Sequence, residues 1–578
     1  MTGYPRPSRV FPLVLAFGLC GLAAAAGAQT DSADTAPPAA PPTAPPTAPD
    51  PTLASGTVFE DRNGNRRRDP GEPGLAGVLV SNGLEVVRSG LDGRYSLPIA
   101  EGGVLFVTKP AGFAPPVDRD MAPQFHYVHD PDGTPTELGL RFRGVGPTGP
   151  LPAAIDFPFD KVTEPDAFKV IWFADTQAQT PAELDYLRDD VIAELVGTEA
   201  AFGVTAGDVV YDDLTLYPRH NRLVGRIGIP WYNLPGNHDL NFLSPDDRHS
   251  LETFKRTFGP TYYSFDVGRV HFVMLDSVVY HGRNAGRAKP NAWGAGTYEG
   301  RISQRQLAWL ANDLSFVPED RLVVVGMHIQ LDTPGEDGQH VNVANRAALF
   351  ELLSGRRRVF SIAGHLQNVL HRYFGAEDGY QGPAPLHQHV IAAASGGWWS
   401  GPPDPRGIPI ALQGDGTPNG YYIMSVHGTE VVMRYKAASL PADHQMRITV
   451  APVFEHPSLG PAAPQDYNDT PILRARLAAM ELVVNLFDGG PKSKVWFSID
   501  GGPAVAMARS ARVDPLVAKL SLRIKDRSVY WTPLRDSTHI WAAPLPRDLA
   551  PGVRRITIRA VDEYGQEHQA SKLIEVAS

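Results

Sequence analysis

The spacing of hydrophobic positions changes character along this chain. From Ser55 to Lys109 short runs alternate apolar and polar residues between turn signals, as in Gly77–Val87, Asp92-Gly93-Arg94-Tyr95-Ser96-Leu97 and Val104–Lys109. That period of two predicts half-buried strands of a small antiparallel sandwich. From Ala167 the runs become solidly apolar and alternate with helical segments, which predicts an α/β layered core. Thr180-Pro181-Ala182-Glu183 reads as a capping box before Leu184, Leu187, Val191 and Leu195; Ser303-Gln304-Arg305-Gln306 does the same before Leu307, Leu310 and Leu314. From Met446 short alternating runs return at Arg447–Val450, Leu482–Leu486, Lys494–Ile499, Ser537–Leu545 and Arg554–Val561, predicting a second, immunoglobulin-like sandwich.

These shifts divide the 578 residues into a multi-domain α/β protein, since the chain is too long for one hydrophobic core. The expected units are 1–28, a signal peptide; 29–52, a Pro/Ala-rich linker; 53–145, an N-terminal β-sandwich; 166–437, the α/β core; and 445–578, a C-terminal β-sandwich. Arg6 and Arg9 followed by the apolar run Val10–Ala26 and the small residues Ala26-Gly27-Ala28 read as a secretory signal, with no transmembrane span left after its removal. An exported protein, periplasmic or secreted, is therefore expected. The single cysteine, Cys20, lies inside that run, and lipoprotein anchoring is the weaker alternative because Leu19 stands where a small residue is wanted. Removal of the segment would leave no thiol chemistry.

A formal charge of −10, with no Lys/Arg run longer than three, argues against nucleic acid as an obligate partner. Acidic and amide side chains are concentrated instead in two places. In the N-terminal unit, Asp61, Asn63, Asn65, Asp69 and Glu72 occupy positions 1, 3, 5, 9 and 12 of a loop, the ligand spacing of an EF-hand. Arg66 stands where that loop wants Gly and no helices flank it, so a structural Ca²⁺ is set against a plain Asn/Gly-rich turn. The surroundings resemble carboxypeptidase-regulatory or bacterial surface-repeat β-sandwiches, in which such a loop is structural.

In the α/β core, five apolar strands in succession end in metal-capable side chains. They are Asp175-Thr176-Gln177; Gly207-Asp208; Gly236-Asn237-His238-Asp239; Gly326-Met327-His328; and Gly364-His365-Leu366-Gln367. One such residue is an ordinary cap or hydrogen-bonded histidine. Five at equivalent strand ends point to one site, since open α/β sheets place ligands beyond the carboxyl ends of their strands.

In this order the motifs resemble the calcineurin-like metallophosphoesterase superfamily, whose signature runs Asp-x-His, Gly-Asp, Gly-Asn-His, His, Gly-His-x-His. The resemblance implies two packed, mostly parallel sheets flanked by helices, and a dinuclear centre bound to Mn, Fe, Zn or Mg. One ion would take Asp175, Gln177, Asp208 and Gln367; the other would take Asp208, Asn237, His328 and His365, with Asp208 bridging. It implies hydrolysis of a phosphoric ester by a metal-activated hydroxide, with His238 as general acid and Asp212 or Asp213 orienting it. Gln177 and Gln367 stand where the family most often has histidine. The first site is then left with oxygen ligands only, which favour hard ions, and should be the looser of the two. Trp398 and Trp399 offer an aromatic wall to a substrate, or packing against a neighbouring unit, and the loop Asp332–His340 offers a lid or a plain connection. The substrate class is a phosphorylated small molecule, lipid or cell-wall component. A phosphodiesterase acting on lipid, cell-wall or nucleotide-derived diesters is one alternative; a catalytically weak surface binding or structural protein is another.

Overall fold

The computed structural model describes residues 52–285, 296–336, 338, 340–452, 471–523 and 534–578. The expected signal peptide and nearly all of the linker lie outside the described residues. Described residues from Leu53 onward form one compact unit. It is a mixed α/β, many-sheeted fold, and none of its described helices is long and apolar enough to cross a membrane.

Two sheets carry the centre. The first orders Trp231–Leu234, Phe202–Ala206, Ala167–Phe173, Gly420–His427 and Glu430–Ala437, with its first three strands parallel. The second orders Tyr263–Val267, Val270–Met274, Leu322–Gly326, Arg358–Ala363, Leu386–Val390 and Leu370–Phe374, parallel except at its two edges. Strands such as Phe202–Ala206, Val270–Met274 and Leu322–Gly326 are buried at every position. Continuous apolar runs are what a parallel strand covered on both faces requires. One hydrophobic cluster spans both sheets and takes in Phe106, Phe125 and Phe142 from the N-terminal part and Phe487 from the C-terminal part.

Both capped helices form, at Pro181–Leu187 and Gln304–Leu314, with Thr180 and Ser303 accepting from the amides of Glu183 and Gln306. The reciprocal half of each box goes elsewhere. The Glu183 carboxylate takes the amide of Gln179, and the Gln306 side chain bonds the backbone of Asp276. For Gln306 a partner 30 residues away displaces the local one, whereas for Glu183 the bond moves one residue along, from the cap to its neighbour.

The N-terminal part departs from the all-antiparallel expectation. Its two four-stranded sheets share a core of Val58, Val80, Leu97, Leu105 and Phe159. Thr52–Glu60, however, pairs in parallel with Phe157–Lys161, a strand past residue 145. A parallel partner must come from far along the chain, so local alternation carries no sign of it. At the other end, Met446–Pro452, Met480–Leu486 and Ile540–Pro544 build one sheet; Lys494–Ile499, Gly552–Val561 and Glu567–Ala577 build most of a second. Leu482, Val484, Trp541, Ile556 and Ile558 fill the core of that part.

Candidate metal centre

All five motif loops leave the carboxyl ends of central strands: Ala167–Phe173, Phe202–Ala206 and Trp231–Leu234 on one sheet, Leu322–Gly326 and Arg358–Ala363 on the other. Their side chains meet around Asp208. His328 Nε2 lies 3.1 Å from Asp208 Oδ2 and 3.2 Å from Asn237 Oδ1. The His328 Nδ1 donates to the carbonyl of Ala206 at 2.8 Å, which turns Nε2 into the site. The ring of His365 sits edge-on to that of His328 with 5.1 Å between centroids. Ligand atoms of Asp208, His328 and His365 all fall within 4.8 Å of one another.

The other expected ligands lie alongside. Asp175 is fully buried and accepts from the His365 amide at 3.0–3.2 Å. The Gln177 Nε2 donates to Asp208 Oδ2 at 2.6 Å, while its Oε1 accepts from both Gln367 Nε2 and Trp398 Nε1 at 2.6 Å. The two glutamines are thus bonded to each other, and the Gln177 oxygen is already shared by two donors.

Three glycines make this convergence possible by close approach. A Cβ on Gly207 would lie 2.4 Å from the His328 ring; on Gly236, 2.2 Å from Asp208 Oδ1; on Gly364, 2.6 Å from Asp175 Oδ2. The backbone is strained here as well. Asp175, Gln177, Asp208, Asp212, His365, Gln367, Trp398 and Trp399 are eight of the twelve non-glycine residues with positive φ among the described residues. Each such conformation costs on the order of 1–3 kcal/mol and persists where surrounding structure enforces it, typically at functional sites.

Burial and charge act together on these groups. Burial pushes the Asp175 carboxyl up to about 7, a rise opposed by His328 and reinforced by Asp208. Burial would raise Asp208 too, yet His328 and His238 hold it below the usual carboxylate range. Burial works against a charged His328, but Asp208 and Asp175 drive it up to about 9. His365 is pushed down to about 3 by burial and then by His328, so it is neutral and able to ligate. Two buried carboxylates, two imidazoles and three amides are therefore a donor set that fits divalent ions.

His238 and Asp212 form a pair beside this cluster. The His238 amide donates to Asp208 Oδ1 at 2.8 Å, its ring Nδ1 lies 2.7 Å from Asp212 Oδ1, and Tyr211 stacks on it at 4.0 Å. Its side chain keeps 18% exposure, whereas Asp212 is buried. Burial opposes the charged ring, but Asp208 and Asp212 drive His238 up to about 9. Asp213 faces the other way and caps the following turn through Thr215.

Asp239 pins two of the loops together. Its carboxylate accepts from the amides of Gly236 and Val209 and from the Tyr217 hydroxyl. The only signal for it is an acidic residue after Asn-His; two of its three partners are 22 and 30 residues away. The tryptophans divide. Trp398 reaches Gln177, whereas Trp399 is buried in the core against Tyr186, 5.9 Å between centroids, and offers no wall to a substrate. Within Asp332–His340, two residues fall outside the described ones, while His340 presents its carbonyl to His365 Nε2 at 2.9 Å.

In the N-terminal loop the five acidic and amide residues share one network. Asp61 accepts the amides of Gly64 and Arg66; Asn63 and Asn65 both donate to Asp69 Oδ2; Glu72 accepts the amides of Arg62 and Asp69. Arg66 takes the left-handed conformation that Gly would take in an EF-hand, with φ of 62°.

Residues 62–143 match the family model described as the N terminal of calcineurin-like phosphoesterase, and residues 388–568 the one described as its C terminal. Nothing among curated proteins matches the sequence. Among solved structures the chain is similar to a dimetal phosphatase from Danio rerio (14% identity, TM-score 0.31, covering 47% of this chain and 96% of that one). It is also similar to the purple acid phosphatase PPD1 from yellow lupin, Lupinus luteus (12%, 0.33, 67% and 67%), and to PhoD (11%, 0.32, 68% and 91%). At these TM-scores the superpositions are too partial to place residues.

Proposed function

We propose that this chain, a calcineurin-like phosphoesterase and so a hydrolase acting on phosphoric esters, works at the cluster around Asp208 with His238 as proton donor to the leaving oxygen. The observation that carries the reading is the meeting of Asp208, His328 and His365 beside a His238–Asp212 pair.

Asp208, Asn237, His328 and His365 would hold one divalent ion, and Asp175, Gln177, Asp208 and Gln367 a second. When bound, the pair supplies positive charge against the phosphate oxygens and activates water for attack. The chain's own residues supply the rest. Asp212 accepts from His238 Nδ1 and so directs Nε2 outward as the donating atom. Tyr211 holds the ring plane, and the His238 amide bond to Asp208 ties the donor's position to the metal ligands. Gln177, engaged by Gln367 and Trp398, would hold the second ion more loosely than the first is held. Mn, Fe, Zn and Mg all suit the donor set; the N-terminal loop would take a structural Ca²⁺; the terminal modules are read as β-sandwiches and residues 1–28 as an export signal.

The test is hydrolysis of p-nitrophenyl phosphate, its bis ester and an alkyl phosphate, with Mn, Fe, Zn or Mg ions added in turn. Asp208→Ala should abolish turnover. His238→Ala should lower it about 10²–10⁴-fold on the alkyl ester and less on the nitrophenyl esters, whose leaving anion needs little protonation. Full activity of His238→Ala on the alkyl ester removes the proton-donor role; no cleavage of any ester by wild type under any of the four metals removes the enzymatic reading.

A further inference from the structure

A second group of ligating side chains lies where the six-stranded sheet meets the C-terminal module. His371 and His389 sit directly opposite each other on the paired strands Leu370–Phe374 and Leu386–Val390, their rings stacked at 4.0 Å. Both direct Nε2 at Asp488, which follows the C-terminal strand Met480–Leu486. The His389 Nε2 is 2.9 Å from Asp488 Oδ1 and the His371 Nε2 is 3.4 Å from it. Both imidazoles are fully buried, and the Asp488 side chain is 6% exposed.

As a hydrogen-bonded network this group is incomplete. Asp488 Oδ1 is already taken by His389 and by the Tyr422 hydroxyl, each at 2.9 Å. His371 Nε2 and Asp488 Oδ2 are left buried with no hydrogen-bond partner. A buried polar atom without a partner is costly, and this cluster holds two of them.

As a metal site the same arrangement supplies three ligand side chains. Each histidine engages its other nitrogen: His371 Nδ1 lies 3.0 Å from His387 Nε2, and His389 Nδ1 lies 2.9 Å from the Tyr564 hydroxyl. That outer contact is what orients ligating imidazoles and sets their tautomer. In a tetrahedral site with bonds of ~2.0–2.1 Å, neighbouring ligand atoms stand roughly 3.3 Å apart. The 2.9 and 3.4 Å separations bracket that value. Two nitrogens and one carboxylate select a transition metal over Mg²⁺ or Ca²⁺.

We propose that His371, His389 and Asp488 bind one divalent transition-metal ion of the Zn²⁺ class, which ties the six-stranded sheet to the C-terminal module. Its burial makes the site structural, without access for a substrate, and its ligands are separate from those around Asp208. The proposal does not rest on the phosphoesterase reading.

The test uses the full chain with Asp208→Asn and His328→Gln, which empties the cluster around Asp208. After loading with Zn²⁺ and dialysis it should keep about one zinc per chain. Adding His371→Gln or Asp488→Asn should remove that equivalent. The Co²⁺-loaded form should show the intense visible bands of a tetrahedral ion, lost in the same variants. Zinc should also raise the melting temperature of the Asp208→Asn/His328→Gln protein. A folded double variant that holds no zinc overturns the proposal, as does an equivalent retained after His371→Gln. Should both added variants fail to fold, the Co²⁺ spectrum and zinc-dependent melting of the double variant decide: both present supports the site, either absent overturns it.

Discussion

Gly236→Ala isolates the packing logic of the centre. Gly236 has an extended backbone, φ −118° and ψ −176°, that any residue adopts, so the substitution adds no backbone strain. What it adds is a methyl group 2.2 Å from Asp208 Oδ1 and 2.3 Å from the Asp208 amide nitrogen. Van der Waals contact needs roughly 3.5 Å, so the two loops must part by roughly 1 Å. Side-chain rotation cannot relieve this, because one of the atoms met is backbone. Overpacking of this kind costs about 1–3 kcal/mol of stability. A 1 Å displacement of the residue shared by the whole ligand set should cost about 10²-fold in kcat/KM. The assay is bis-nitrophenyl phosphate turnover with saturating Mn²⁺, alongside thermal melting. Gly146→Ala serves as the control, since its added Cβ meets nothing within 4 Å. If Gly236→Ala stays within twofold of wild type and melts with it, close approach at Asp208 is not what glycine is there for.

Three other outcomes follow from the same geometry. Asp239→Asn exchanges a carboxylate oxygen for an NH₂ facing the amides of Gly236 and Val209 or the Tyr217 hydroxyl; stability in denaturant should fall by about 1–3 kcal/mol with a matching loss of activity, and an unchanged midpoint would show the carboxylate is not the pin. Trp398→Phe removes one of the two donors on Gln177 Oε1; freeing an acceptor worth about 1 kcal/mol should lower half-saturating Mn²⁺ about fivefold, and a rise instead would show that Trp398 supports the ion. Buried His271 bridges Asp266 at 2.7 Å and Asp313 at 2.8 Å, and although burial opposes its charge these carboxylates raise it to about 10. A raised histidine contributes stability that is complete below its unfolded value of ~6.5 and is lost as pH climbs through about 10; melting temperature should fall across that window and the slope should flatten in His271→Gln, whereas an identical slope in the variant would exclude the triad as its source.

The residues that converge around Asp208 are legible before any fold, and the reason is local. A parallel strand buried on both faces is a solid apolar run, and its end is marked where polar residues begin, so Asp175, Asp208, Asn237, His328 and His365 announce both their identity and their topological place. The helix starts at Thr180 and Ser303 were legible for the same reason, since a cap acts over three residues. What the sequence left open involves partners set by distance in space. Asp212 and Asp213 are adjacent and chemically equal; only the fold turns one toward His238 and the other toward Thr215. Gln177 could be read as a ligand, but its bonds to Gln367 and Trp398 come from 190 and 221 residues away. The parallel pairing of Thr52–Glu60 with Phe157–Lys161 and the burial of Trp399 are decisions of the same kind. His371, His389 and Asp488 carry no motif at all, because two of the three side chains meet only across a strand pair and the third arrives from another module. Sequence alone determines which residues stand at the ends of strands; tertiary structure decides which of them share a proton or a glutamine oxygen, because those choices turn on separations of an ångström between segments from 26 to 221 residues apart.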